Sequence, residues 1–83
     1  MNVRIKYFAS IREAVGQGGE AFATHSETLG ALRDELIARG GAYATALARG
    51  KSVRMAVDQE MSDEAAPLRE GCEVAFFPPV TGG

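Results

Sequence analysis

The side chains that most often do chemistry are sparse in this sequence. His25 is the single histidine, and no serine or cysteine stands near it in a nucleophile motif, so we interpret it as structural or exposed. Cys72 precedes an expected strand, where a free cysteine is usually a small buried hydrophobe. The nearby carboxylates are scattered over loops and strand edges: Asp63, Glu64, Glu70 and Glu73. The sequence therefore predicts no acid/base pair, no metal site and no bound cofactor.

The C-terminal residues indicate a different kind of chemistry. The sequence ends FFPPVTGG, and the two prolines favour a polyproline II exit from the last strand. Residues 80–83 can extend about 13–14 Å beyond the prolines, far enough to enter the active site of another protein. Glycine has no Cβ, so it passes a narrow channel and leaves the terminal carbonyl of Gly83 open to a reagent. We predict that residues 78–83 form a mobile tail, of which Pro79, Val80, Thr81 and Gly82 thread a partner.

Composition excludes several functional classes. Eighty-three residues with a net charge of −2 and no run of lysine or arginine give no electrostatic footprint for nucleic acid. The N-terminus MNVRIKYF alternates apolar and charged residues, unlike a signal peptide, and no apolar stretch approaches the length of a membrane helix. We expect a single cytoplasmic domain over residues 1–83.

Four strands are predicted from period-two patterns and their boundaries. The first covers residues 3–8, with Val3, Ile5 and Tyr7 facing the core. The others cover residues 20–25, 53–57 and 73–77, and the double proline ends the last of them. Residues 61–71 are predicted to form a loop anchored by Leu68.

Helical signals separate these strands. Ser10 and Glu13 fit a capping box for a short helix that Gly16 ends. The main helix is predicted from Thr28, as its N-cap, to Arg39, and a shorter one covers residues 43–49. The order strand, strand, helix, strand, strand is compatible with an α+β fold in which a main helix packs on one face of a mixed sheet.

Three apolar residues do not fit the core of this arrangement. Alternation turns Phe8 away from the face that holds Tyr7, and Phe77 away from the face that holds Phe76. Met61 lies in a polar segment and joins them in this interpretation. We predict that Phe8, Met61 and Phe77 form a partner-docking patch beside the tail.

The segments VRIKYFASIREAVG, RMAVDQEM and above all LREGCEVAFFPPVTGG resemble the small subunit of molybdopterin synthase, the MoaD family. The resemblance spans essentially the whole chain, and it implies the ubiquitin-like β-grasp fold. Two positions depart from the family pattern, which usually has Asp at Cys72 and Asn at Asp58.

The resemblance implies that the Gly83 carboxylate carries the chemistry. An adenylating enzyme would use ATP to convert this carboxylate to an acyl-adenylate, and a persulfide sulfur donor would displace AMP to leave a thiocarboxylate. The thiocarboxylate, docked on a large subunit, would deliver sulfur to cyclic pyranopterin monophosphate and so build molybdopterin. The chain would then be a covalent carrier without catalysis of its own, with two small chains on a dimer of large ones.

Three alternatives remain at the level of sequence. A sulfur carrier for thiamine thiazole synthesis shares the fold and the Gly-Gly end, although its chain is typically shorter. A ubiquitin-like protein modifier would be attached to lysines of target proteins. A binding module with an incidental Gly-Gly would tolerate a C-terminal tag, which would inactivate any carrier.

Overall fold

The computed structural model describes residues 1–79. Its elements are β1 (Asn2–Tyr7), α1 (Ala9–Val15), β2 (Gly19–Ala23), α2 (Leu29–Ile37), α3 (Gly41–Ala46), β3 (Arg54–Val57), β4 (Glu60–Ser62) and β5 (Glu73–Phe77). This order contains every predicted strand and helix, together with a fifth strand that the sequence did not predict.

The five strands form one mixed sheet in the order β2-β1-β5-β3-β4. The C-terminal strand β5 lies in the middle, parallel to β1 and antiparallel to β3. The outer strand β2 pairs antiparallel with β1, and the outer strand β4 pairs antiparallel with β3. The mixed sheet with its helices confirms the predicted α+β, β-grasp fold.

The hydrophobic core fills one face of the sheet, as the alternation predicted. Val3, Ile5 and Tyr7 on β1 are each 1% exposed. The central strand adds Val74 and Phe76, which are fully buried. The helices contribute the remaining large core side chains: Ile11, Leu29, Leu32, Leu36 and Leu47. Leu68 is also buried, so the predicted anchor of the loop after β4 is confirmed.

The ends of the helices confirm two predicted caps and correct a third. The Thr28 side chain accepts a hydrogen bond from the Ala31 N–H at 3.2 Å, and Gly16 ends α1 in the left-handed region at φ 82°. The Ser10 capping box was wrong, because α1 already begins at Ala9 and no side chain caps it. The N–H groups of the first turn instead bond to the Phe8 carbonyl, which places Ser10 inside the helix.

The hairpin β3–β4 is the largest correction to the predicted elements. Residues 60–62 form an edge strand where a loop was expected from residue 61. The two-residue turn between the strands consists of Asp58 and Gln59, both with positive φ (49° and 70°), as a type I′ hairpin requires. A three-residue strand is too short to show a period of two, so tertiary pairing with β3 decides it.

The second short helix also lies elsewhere than predicted. It covers Gly41–Ala46 instead of residues 43–49. The chain leaves the helix at Leu47, and the buried Arg33 guanidinium then donates to the carbonyls of Leu47, Ala48 and Lys51 at 2.7–3.1 Å. The second strand ends at Ala23 rather than His25, since the next residue, Thr24, is tied to Glu35 by its hydroxyl.

Candidate docking face and C-terminal segment

The helices leave the other face of the sheet uncovered, and the predicted patch lies there. Phe8 follows β1, Phe77 ends β5, and their rings meet edge to face with centroids 6.3 Å apart. Phe8 is 46% exposed, and Met61 on β4 is 57% exposed. Met61 pairs with Ala56, which itself faces away from the core, so the three predicted patch residues share one face.

The position of β5 brings the C-terminal segment to this patch. The strand runs through the middle of the sheet and ends at Phe77, after which Pro78 and Pro79 are half-buried at the sheet end. Pro79 lines an open groove of about 610 Å³, together with Lys51, Arg54 and Met61. The other predicted tail residues, Val80, Thr81, Gly82 and Gly83, lie outside the described residues. A protein bound to the patch would therefore also contact the start of the C-terminal segment.

Sequence reasoning missed the polar residues that surround the patch. Lys6 lies opposite Ala75 on β5, and Arg54 lies opposite Phe77. The Lys6 ammonium is 3.3 Å from a Glu73 carboxylate oxygen, with about half of the Lys6 side chain exposed. The period of two that turned Phe8 and Phe77 outward already contained this signal, because it places Lys6 and Arg54 on the same face.

Asp58 lies at the edge of this face and is fixed by local hydrogen bonds. One carboxylate oxygen accepts from the Glu73 N–H at 3.0 Å, and the other accepts from Arg69 at 2.8 Å. The hydrogen bond from the Glu73 N–H lowers the pKa of this carboxyl below its ordinary value, and the Arg69 guanidinium lowers it further. Its charge therefore orders the hairpin turn, and we assign no chemistry to it.

A second polar cluster lies at the opposite edge, beside the core. The Glu20 carboxylate accepts hydrogen bonds from Tyr7, Gln17, Tyr43 and Arg39 at 2.8–3.1 Å. Burial opposes ionisation of Glu20, but these hydrogen bonds outweigh it and hold its pKa below the ordinary value. Burial raises the pKa of the Tyr7 hydroxyl, and the hydrogen bond and negative charge of Glu20 raise it further. Every member has a partner, so the cluster ties β1 and β2 to α2 and α3.

The remaining candidates offer no reactive arrangement. Cys72 is 4% exposed and belongs to the hydrophobic core. His25 is exposed on the loop before α2. Within residues 1–79, no three His, Cys, Asp or Glu side chains are grouped so that they could hold a metal ion. Over the same residues, each helix is too short or too polar to span a bilayer.

Comparison with known proteins places the chain in a family. The profile of the ThiS family matches residues 5–83. The "Molybdopterin synthase sulfur carrier subunit" of Escherichia coli K12 is 42% identical over 81 residues, which are 98% of this chain and 99% of that protein. The protein of the same name from Haemophilus influenzae is 35% identical over the same shares of both chains.

Solved structures share the fold at lower identity. One is a complex of subunits 1 and 2 of molybdopterin-converting factor from Helicobacter pylori; the matched chain has a TM-score of 0.68 and 24% identity, with full coverage of both chains. Another is the small archaeal modifier protein 1 of H. volcanii, with a TM-score of 0.76, 22% identity and coverage of 95% and 98%. Both support the ubiquitin-like fold of this chain.

Proposed function

The chain belongs to the ThiS family, and from this premise we propose that it is the sulfur-carrier subunit of molybdopterin synthase. The two relatives named as such match it over nearly their whole length, at 42% and 35% identity. The structural observation that carries the proposal is the placement of β5. This central strand brings the C-terminal segment next to an aromatic pair, the exposed Phe8 and the half-buried Phe77.

The proposed chemistry takes place on the Gly83 carboxylate. An adenylating enzyme transfers AMP from ATP to this carboxylate and releases pyrophosphate, which leaves a mixed anhydride. The terminal sulfur of a persulfide attacks the acyl carbon and expels AMP. A thiol then cleaves the acyl disulfide, so the chain keeps a thiocarboxylate and the donor leaves as a disulfide. ATP is thus used by the activating enzyme, and the carrier itself needs no bound cofactor.

The thiocarboxylate then acts on the large subunit of the synthase. It is an anionic sulfur nucleophile near neutral pH, as thiolates are, and delivers sulfur to cyclic pyranopterin monophosphate. The carrier presents the reactive group, and the large subunit supplies the catalytic groups, so the small chain is non-catalytic by itself. Phe8, Met61 and Phe77 dock on that subunit, in an assembly of two small and two large chains in the cytoplasm.

Two related functions are less well supported. A carrier for thiamine thiazole synthesis fits the family name, but the relatives from E. coli and H. influenzae are both named as molybdopterin synthase sulfur carrier subunits. A protein modifier fits the archaeal neighbour, whose 22% identity supports the fold alone. A modifier would form conjugates with many proteins, whereas a synthase subunit binds one dedicated partner.

Intact mass spectrometry of the untagged protein tests the proposal. The protein is incubated with ATP, an adenylating enzyme and a persulfide donor, and the mass of its C-terminal peptide is measured. We expect a gain that corresponds to the replacement of one oxygen by sulfur, located at Gly83. No gain with an activating system that loads a known carrier would overturn the carrier function.

A further inference from the structure

The uncovered face of the sheet carries a charge opposite to that of the whole chain. Arg4, Lys6 and Arg54 all project from it, because each shares a register row with an outward residue of the neighbouring strand. Glu73 is the one carboxylate among the strand residues of this face. The face is therefore net positive, whereas the chain as a whole has a net charge of −2.

Two of these cations have no internal partner among the described residues. Arg4 and Arg54 form no ion pair within residues 1–79, although five other basic residues, Arg33 and Arg39 among them, do. Lys6 pairs with Glu73 in a half-exposed contact that water screens. Arg4 and Arg54 are both exposed, so they are free to meet opposite charges from outside the described part of the chain.

Two alanines lie among these cations on the uncovered face. Ala56 and Ala75 lie side by side in the middle of the face, and both are buried although no helix covers them. Longer side chains stand around them: Lys6 beside Ala75, Met61 beside Ala56, and Phe77 one row further along β5. The face is thus a shallow depression, with Ala56 and Ala75 at its base and longer aromatic and cationic side chains around them.

The spacing of the sheet brings the three cations close together. Neighbouring strands lie about 4.8 Å apart and residues rise about 3.3 Å along each strand, so the three Cα atoms span about 10 by 13 Å. Lys6 thus lies about 7 Å from Arg4 and about 12 Å from Arg54. These distances are close to the Debye length of about 10 Å at 0.1 M salt, so the field of Lys6 adds to that of each arginine.

We propose that this face of the sheet binds an acidic protein surface. Arg4, Lys6 and Arg54 would attract that surface by their charge. The partner's apolar side chains would lie on Ala56, Ala75 and the Phe8–Phe77 pair, and its carboxylates would meet the three cations. This inference rests on the proposed function, because the partner it describes is the large subunit. It adds that the docking surface of that subunit is acidic, which the apolar patch does not specify.

A second copy of this chain is the other apparent occupant. If two copies joined through this face, Arg4, Lys6 and Arg54 of one would face the same cations of the other across a two-fold interface. Like charges in apposition disfavour a complex, so the charge of the face selects against self-association.

The test measures association with the purified large subunit of molybdopterin synthase from the same organism. The variants are Lys6→Glu and Arg54→Glu, with Arg12→Glu as the matched control. Arg12 is exposed on α1, outside the strands of the sheet, and also forms no ion pair within residues 1–79, so its reversal changes the net charge equally. Circular dichroism checks that each variant is folded.

We expect the association rate constant at 50 mM NaCl to fall about tenfold in Lys6→Glu and in Arg54→Glu, and to change less than twofold in Arg12→Glu. Wild-type association should slow as NaCl rises to 500 mM. Equal rates for all variants, or rates independent of salt, would overturn the acidic-partner inference and leave the proposed function intact. If the wild type does not bind the subunit at all, the proposed function fails, and this inference fails with it. A wild-type dimer that Arg54→Glu tightens, because an opposite-charge contact replaces a like-charge one, would show that this face binds a second copy instead.

Discussion

At the scale of single residues, Glu20 makes the most concentrated set of interactions in the described chain. Its carboxylate collects hydrogen bonds from two tyrosine hydroxyls, a glutamine amide and the Arg39 guanidinium. Arg39 also stacks over the Tyr43 ring, 4.1 Å from its centroid, so the ion pair is held in a fixed geometry. A half-buried charge with this many donors stabilises the fold only while it is ionised.

The first prediction concerns this charge. Glu20→Gln should lower the free energy of unfolding at pH 7 by about 2 kcal/mol, a fall in Tm of about 8–16 °C. The folded pKa of Glu20 lies below its ordinary value of 4.5, so the stabilisation is complete above that pH. It is lost as the pH falls through the folded pKa. Thermal unfolding of both proteins from pH 7 to pH 3 should show their difference shrinking below about pH 4.5.

Glu13→Gln is the matched control for this experiment. The Glu13 side chain is exposed, so its change should stay within about 0.5 kcal/mol. A gap between wild type and Glu20→Gln that is the same at pH 3 as at pH 7 would contradict the assignment of the stabilisation to the carboxylate charge.

At the scale of elements, the packing of α2 against the segment after β4 depends on one glycine. A Cβ on Gly30 would lie 2.9 Å from the Glu64 Cβ and 3.2 Å from the Glu64 carbonyl oxygen. The Gly30 N–H donates to that carbonyl at 3.0 Å, and the Gly30 carbonyl accepts from Arg49. The same Arg49 pairs with Asp34 on α2 and with Glu64, so the helix and the loop share one network.

Gly30→Ala should therefore destabilise the protein by about 1–3 kcal/mol, although alanine ordinarily favours a helix over glycine by about 1 kcal/mol. The reason is that the Glu64 Cβ would have to shift, and its backbone is held in place by the hydrogen bond from the Gly30 N–H to the Glu64 carbonyl. Urea unfolding measures the change. Gly50→Ala is the control, because nothing lies within 4 Å of a Cβ there, and it should be neutral or slightly stabilising. Equal stability of the two variants would refute the close packing at Gly30.

At the scale of the whole molecule, the hydrophobic core and the proposed docking residues lie apart. The core lies on the helix-covered face of the sheet, whereas the proposed docking residues lie on the opposite face. The C-terminal segment follows the last strand and begins with two prolines, which have no N–H to donate to the sheet. Changes to the docking face or to the last residues should therefore affect function far more than folding.

Deletion of Gly83 tests this separation. The thermal melt should stay within about 2 °C of wild type, since terminal residues add little to stability. Sulfur loading, measured by intact mass, should be lost. Gly82→Val should fold equally well and also lose transfer, because its side chain obstructs a narrow channel. Cys72→Ser serves as a control for sulfur transfer, since the proposed carrier is the acyl group. Normal turnover by Gly82→Val would contradict threading.

The docking patch gives the last prediction. Phe8→Asp combined with Phe77→Asp should weaken binding of the large subunit by a factor of about 100 or more, the effect of losing one or two interface hot spots. The binding assay is run after circular dichroism has shown that the variant is folded. Unchanged affinity in a folded variant would remove Phe8 and Phe77 from the interface.

The sequence by itself determined the core face, the main helix with its Thr28 cap, the last strand, and the outward direction of Phe8 and Phe77. Each of these follows from a local period or a capping residue, which neighbouring residues suffice to specify. Resemblance over the whole chain gave the family. Only the tertiary structure decided the features that local patterns do not encode. It places β5 between β1 and β3, and it pairs residues 60–62 as an edge strand. It also brings Lys6 and Arg54 to either side of Ala56 and Ala75. These features depend on contacts between residues far apart in the chain, and such contacts form only when the strands assemble into the sheet.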